Sequence, residues 1–126
     1  MKQYYPTIEA QHRLAEYFDL PWDKHSAQDW GIIVADLNRV TEFATAIPQF
    51  EQPDVQVCLL GLVLASLDDW LSEEQRSPEE IQHQWSSISS HLVPLAERYQ
   101  HITDYWMRDH RSVGPVLKQY LRLDQH

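Results

Sequence analysis

Six carboxylate side chains lie within thirteen residues near the middle of the chain, accompanied by one basic residue, Arg76. We call this group the acidic corner, and it consists of Asp68, Asp69, Glu73, Glu74, Glu79 and Glu80. Six negative charges and one positive charge give the segment a net charge of −5. A concentration of charge of this kind attracts partners of the opposite sign and accelerates their association. The acidic corner therefore predicts a positively charged partner.

The first four carboxylates of this corner follow a long apolar stretch and should lie near the C-terminus of a helix. Negative charge is unfavourable there, because the helix dipole favours lysine or arginine. A locally unfavourable placement indicates a function that outweighs it. Trp70 lies among these carboxylates, and Trp22 lies in a loop between Asp19 and Asp23. Either tryptophan is a candidate interface anchor, the alternative being a ring folded back onto the protein.

Two Glu-x-x-His motifs, Glu9-x-x-His12 and Glu80-x-x-His83, have the spacing that di-iron helix bundles use. His83, however, falls about 200° around its helix from the apolar residue Ile81, so it should point away from the core. Both glutamates occupy first turns, where the helix dipole alone favours them. No carboxylate lies mid-helix in the most apolar segment to complete such a site. We therefore predict no metal site here.

Two further groups of reactive side chains do not predict catalysis. Glu97, His101 and Asp104 share one side of a helix, but nothing fixes a fourth ligand for zinc. Cys58 lies in the most apolar stretch, where burial raises a thiol pKa and suppresses its reactivity. We accordingly predict that the protein is not an enzyme, with no catalytic residue, metal ligand or cofactor.

The length and the charge of the chain restrict its possible domain organisation and the kinds of partner that it can bind. The 126 residues, 43% of them hydrophobic, predict one globular domain spanning residues 1–126. Net charge is −9, with −10 on the first 96 residues and +1 on the rest, which disfavours direct binding to nucleic acids or anionic membranes. The apolar run 57–65 is too short to span a bilayer. One cysteine and a polar N-terminus predict a cytoplasmic protein.

Hydrophobic periodicity predicts an all-α fold, a single bundle of five or six helices around a buried third helix. Gly61 in that third helix is expected to let a neighbouring helix approach closely. The first three expected helices run from a Thr7 cap to about Phe18, from a Ser26 cap to Ile47, and from Pro53 to about Leu71. The fourth begins at a Ser77 cap and ends or kinks at Pro94. The apolar stripe resumes through Tyr99 to Trp106, and a last short helix begins near Pro115.

In size, acidity and helical pattern the chain resembles the bacterial immunity proteins of toxin–immunity pairs, including those of contact-dependent growth inhibition systems. The resemblance implies a cognate nuclease toxin whose basic cleft the carboxylates cover, so that they exclude its nucleic-acid substrate. The partner expected on this basis is a basic protein. Two other classes stay open: a metal-dependent helical-bundle enzyme, and a regulatory or adaptor domain with an apolar groove that binds a helix.

Overall fold

The computed structural model describes residues 3–109 and 112–124 of the chain. Within these ranges the protein contains seven α-helices and two short 3-10 turns, and no strand. In chain order the helices are α1 Ile8–Phe18, α2 Trp30–Ile33, α3 Val40–Thr45, α4 Pro53–Glu73, α5 Pro78–Arg98, α6 Gln100–Asp109 and α7 Val113–Asp124. The predicted all-α bundle is therefore confirmed.

The helix α4 is the centre of the bundle, and each of the other six helices contacts it. Pro53 occupies its first turn as predicted, and from residue 55 to residue 67 every position except Gly61 is buried. Burying one large aliphatic side chain stabilises a fold by about 1.5–3 kcal/mol. A helix that is apolar on all sides must be surrounded, and this requirement organises the other helices around it.

By length and composition alone, α4 is also long and apolar enough to cross a membrane. Its most apolar window has a mean hydropathy of 1.5, and 67% of that window is buried inside the protein. Among the described residues it is the one helix with this property. The core helix of a bundle has the same combination of length, hydropathy and burial.

The prediction of one continuous second helix over residues 30–47 is wrong. The chain instead forms α2 and α3, separated by an irregular link over residues 34–39. In this link the Asp36 carboxylate accepts a hydrogen bond from the Asn38 amide at 2.9 Å, and the Asp36 amide donates to the Ser66 hydroxyl of α4 at 3.0 Å. Short polar side chains that bond nearby backbone compete with helix formation. The break raises the helix count from the predicted five or six to seven among the described residues.

The start of this region also differs from the prediction. Ser26 was expected to cap a helix, but it lies inside a 3-10 turn, Lys24–Asp29. The Asp23 carboxylate caps that turn by accepting a hydrogen bond from the His25 amide at 2.8 Å. Because α2 is only one turn long, Ile33 does not reach the core and is 59% exposed.

Two predicted helix caps are confirmed. The Thr7 hydroxyl accepts a hydrogen bond from the Ala10 amide at 3.0 Å and begins α1. At the start of α5, the Ser77 hydroxyl accepts from the Glu80 amide at 3.1 Å, and the Glu80 carboxylate accepts from the Ser77 amide at 3.0 Å. This reciprocal pair satisfies two backbone donors that a helix start leaves without partners.

The helix α5 does not end at Pro94, as the sequence suggested that it could, but continues to Arg98. Proline removes one helical hydrogen bond, whose acceptor here is the carbonyl of Ser90. Both Pro94 and Ser90 are exposed, so water can bond that carbonyl and reduce the cost. The chain turns instead at Tyr99, whose φ and ψ of −115° and 61° are not helical, and α6 follows at once.

We expect Leu64→Ala to destabilise the protein by about 2–5 kcal/mol, because Leu64 is fully buried at the centre of α4 and its loss leaves a cavity. Urea denaturation followed by circular dichroism measures the change. A loss below about 0.5 kcal/mol, the size of an ordinary surface substitution, would contradict the central position of α4.

Candidate functional site

The acidic corner lies where α4 turns into α5, and its carboxylates surround the half-buried Trp70. Two open clefts flank the indole ring. One, of about 490 Å³, is lined by Glu73 and Glu74, and the other, of about 470 Å³, is lined by Glu79 and Glu80. All four of these glutamates are exposed. The structure thus brings an aromatic side chain and four accessible carboxylates of the predicted site into one surface.

Arg76 holds the turn of the acidic corner together. Its Nε donates a hydrogen bond to the Trp70 carbonyl at 2.9 Å, and its guanidinium forms an ion pair with Glu74 at 2.7 Å. The same guanidinium lies over the Trp70 ring, 4.2 Å from the ring centroid. Arg76 therefore offsets part of the negative charge at the end of α4. It also covers one face of the predicted anchor.

Asp68 has a structural role that the sequence did not reveal. Its Oδ1 accepts a hydrogen bond from the amide of Val113 at 2.9 Å, and Val113 is the first residue of α7. A helix start presents amides that need acceptors and carries partial positive charge, so a carboxylate is favourable there. This contact lies between residues 45 positions apart. No local pattern indicates it, although it explains one of the six carboxylates.

Asp69 and Glu80 are perturbed in opposite directions. Partial burial raises the pKa of the Asp69 carboxyl, and the negative charges of Asp68 and Glu73 raise it further. Hydrogen bonds from the amide and hydroxyl of Ser77 lower the pKa of Glu80. The capping carboxylate of Glu80 is thus stabilised by its surroundings, whereas the negative charge of Asp69 is opposed by them.

The second predicted surface is the loop over residues 19–23. Side chains of this loop, above all Trp22, make contacts within the chain. The Trp22 ring stacks on His12 with 4.0 Å between ring centroids, and its Nε1 donates to Gln11 at 2.9 Å. Asp19 ends α1 in a left-handed conformation, with φ of 56°, and Asp23 caps the next turn. Trp22 is half-buried, so the alternative of a ring folded back onto the bundle describes it.

A further surface, which we call the Gly61 groove, was not predicted. It is an open apolar groove of about 450 Å³ over the side of α4 that carries Val57, Cys58 and Gly61. One wall is formed by α2 and the other by α6. Three large side chains at its edges are substantially exposed: Tyr5 (58%), Ile32 (49%) and Tyr105 (43%). The one signal in the sequence was a glycine in the middle of an otherwise apolar helix.

The reason for that glycine differs from our expectation. Apart from the neighbouring backbone of α4, no described atom lies within 4 Å of the position that a Cβ on Gly61 would occupy, so this glycine does not serve close packing against another described helix. By contrast, a Cβ on Gly114 would lie 2.8 Å from the Met107 carbonyl oxygen, which makes glycine necessary there. Gly61 leaves the floor of the groove open.

The remaining polar side chains in the interior have partners within the fold. Gln56, which is 9% exposed, donates to the Phe50 carbonyl at 3.0 Å and accepts from the Tyr99 hydroxyl. Burial raises the pKa of the Cys58 thiol to about 12, so the thiol is neutral at pH 7. Among the described residues, no three His, Cys, Asp or Glu side chains gather in a way that could hold a metal ion.

No protein-family model, curated protein or solved structure matches this chain. The acidic corner and the Gly61 groove are therefore the two features from which a function is inferred. The acidic corner extends from the C-terminal end of α4 to the first turn of α5, and the Gly61 groove lies near the middle of α4.

We expect Asp69→Asn to stabilise the protein at pH 7 and Glu80→Gln to destabilise it. With a raised folded-state pKa, Asp69 binds its proton more tightly in the folded protein, so its ionisation costs stability above the unfolded value of about 3.9. The Glu80 contribution has the opposite sign: it is present above the unfolded value of about 4.3 and is lost as the pH falls through the lowered folded-state pKa. Glutamine retains the capping geometry and removes only the charge.

Urea midpoints of both variants and the wild type at several pH values test this pair. Each difference from the wild type should shrink as the pH falls to about 3, below both unfolded values. An Asp69→Asn variant less stable than the wild type at pH 7 would show that its carboxylate is satisfied in the free protein.

Proposed function

We propose that this protein is an acidic binding protein that neutralises a basic protein partner, as the immunity proteins of bacterial toxin–immunity pairs do. The support is the acidic corner, where exposed carboxylates surround Trp70 between two open clefts. An acidic surface steers a basic partner toward it over a range of about 10 Å at 0.1 M salt. On this proposal the partner is a nuclease toxin domain with a basic substrate cleft.

The observation that carries this proposal is the set of exposed carboxylates lining the two clefts beside Trp70. The electrostatics of Asp69 add to it: burial and then Asp68 and Glu73 raise the pKa of its carboxyl, so ionising it in the free protein costs free energy. A lysine or arginine of a partner placed beside Asp69 and Glu73 would remove that cost. Binding would thus gain from relieving the repulsion as well as from the new ion pairs.

The proposed mechanism of inhibition is occupancy. In a nuclease, the residues that bind phosphate groups are basic, and a carboxylate presents negatively charged oxygens to the same donors. Glu73 and Glu79, which line different clefts beside Trp70, would occupy two such positions at once. The exposed part of Trp70 would supply apolar contact between them, while Arg76 fixes the orientation of its ring.

A second candidate function, a regulatory or adaptor domain that binds a helix, is favoured by the Gly61 groove. An exposed apolar groove is the surface that such a domain requires. A metal-dependent enzyme has no comparable support: Glu80 of the second Glu-x-x-His motif caps α5. Its neighbour His83 is exposed and lines the cleft beside Trp70.

The double variant Asp69→Lys/Glu73→Lys tests the acidic corner. The partner to be tested is the one that this proposal expects, the toxic C-terminal domain of a large secreted protein encoded immediately upstream, expressed as a catalytically inactive variant. We expect binding to weaken by about 2–5 kcal/mol if these charges pair in a desolvated contact, or mainly the association rate to fall if they lie at a rim. Association kinetics at two salt concentrations separate these cases.

The matched control is Glu16→Lys/Glu97→Lys, which reverses two exposed carboxylates on α1 and α5. Both double variants change the net charge by +4, from −9 to −5, so a difference between them reports a local effect. Folding should be nearly unchanged in both, because exposed charges contribute little to stability. Equal affinity of the two folded variants for the partner would place the binding site elsewhere.

A further inference from the structure

The Gly61 groove lies where the buried middle of the central helix is interrupted. Of residues 55–67, only Gly61 is not buried, and apart from the neighbouring backbone of α4 no described atom comes within 4 Å of a Cβ added there. Glycine in a helix interior costs about 0.5–1 kcal/mol relative to alanine. No contact within the fold compensates for that cost. A bound group that fills the groove would use the space that the missing side chain leaves.

The lining of the groove suits an apolar side chain with a charged neighbour. Its floor is Val57, Cys58 and Gly61, and its edges carry the exposed side chains of Tyr5, Ile32 and Tyr105. Its charged lining residues, Asp29 and Arg108, are of opposite sign and set no preference by themselves. The charge preference comes from further along α4.

Asp68 and Asp69 follow Gly61 by seven and eight residues on the same helix. At about 1.5 Å per residue, these carboxylates lie about 10–12 Å beyond the groove floor along the helix axis. Asp68 is about 20° around the helix from Gly61, but it already accepts a hydrogen bond from the Val113 amide. The exposed Asp69, about 80° around the helix from Gly61, is the carboxylate open to a partner. A protein interface of ordinary size covers about 800 Å² on each partner, which is enough to include both features. Apolar contact at the centre with charge at the edge is the usual arrangement.

We propose that the Gly61 groove receives an apolar anchor of the basic partner, a leucine-sized or aromatic side chain on a helix that also carries lysine or arginine about seven residues away. This inference rests on the proposed function, because it takes the partner to be basic. It also adds apolar contact to an interface whose two predicted tryptophans are partly engaged within the fold. Trp22 packs against His12, and Arg76 covers one face of Trp70.

Charge argues against a second copy of the chain as the occupant. Two molecules that each carry −9 repel one another, and the acidic corner near the groove would add to that repulsion in a symmetric pair. A small apolar molecule would satisfy the rings of the groove but would make no use of the nearby carboxylates. Both occupants are distinguished by the test below.

The test uses Gly61→Leu, which fills the groove with a side chain of the protein itself. The fold should be retained or slightly stabilised, because the added Cβ meets no atom and leucine favours a helix. The probe is a short helical peptide with leucine and lysine seven positions apart, labelled for fluorescence anisotropy. Two matched peptides replace leucine by serine or lysine by glutamine. Ser90→Leu, at an exposed site on α5, is the control variant.

We expect the leucine–lysine peptide to bind the wild type and Ser90→Leu alike, and Gly61→Leu at least about tenfold more weakly. Replacing leucine in the peptide should weaken binding to the wild type as much as Gly61→Leu does. Equal binding to Gly61→Leu and wild type, or no binding to either, would overturn the inference. So would a dimer in light scattering that Gly61→Leu dissociates, or an anilinonaphthalene dye bound in the groove that the peptide does not displace.

The same titrations keep this inference separate from the proposed function. Asp69→Lys/Glu73→Lys should weaken binding of the leucine–lysine peptide. It should leave binding of the peptide with glutamine in place of lysine unchanged. If Gly61→Leu abolishes binding while the charge reversal has no effect, the groove is a binding site and the acidic corner is not. If only the charge reversal matters, the acidic corner remains supported and the groove inference fails.

Discussion

The burial of α4 is the constraint on which the rest of this structure depends. A 21-residue helix that is apolar on nearly every side cannot lie at the surface of a bundle, so six other helices pack around it. Even the polar links serve this arrangement: Ser66 of α4 binds the amide of Asp36, and Asp68 binds the amide of Val113. The central helix thus determines where the connecting segments lie as well as where the core is.

The parts of the fold that the sequence predicted are those determined by local patterns. The caps at Thr7 and Ser77 depend on residues three positions apart, and the burial of α4 depends on its own composition. The split between α2 and α3 was missed because the apolar stripe over residues 30–47 continues through it. There the Asp36 amide donates a hydrogen bond to Ser66, 30 residues away, and this bond competes with helix formation. Hydrophobic periodicity does not reveal a contact between residues so far apart in the sequence.

The candidate site likewise has features that the sequence predicts and features that depend on contacts in space. Charge density is a property of the sequence, so the acidic corner was predictable, and the structure does gather its glutamates around Trp70. What each carboxylate does depends on its neighbours in space. Asp68 accepts a hydrogen bond from the first amide of α7, and Glu80 caps α5. Partial burial and neighbouring like charges raise the pKa of Asp69. The loop tryptophan Trp22 had two interpretations in the sequence, and the structure shows its ring hydrogen-bonded to Gln11 within the fold.

The Gly61 groove and the acidic corner have one physical origin, since both are departures from what would make α4 most stable. Leucine or alanine at position 61 would favour the helix, and lysine or arginine at its C-terminus would favour the dipole. The fold uses one of these carboxylates, since Asp68 accepts a hydrogen bond from the Val113 amide. No neighbouring element of the described chain uses the space beside Gly61, and partial burial and like charges raise the pKa of Asp69. Two such departures within eight residues of one helix indicate a single external surface with an apolar part and an acidic part. A partner that matches both parts must place an apolar group and a basic group at the distance that separates Gly61 from the carboxylates of α4.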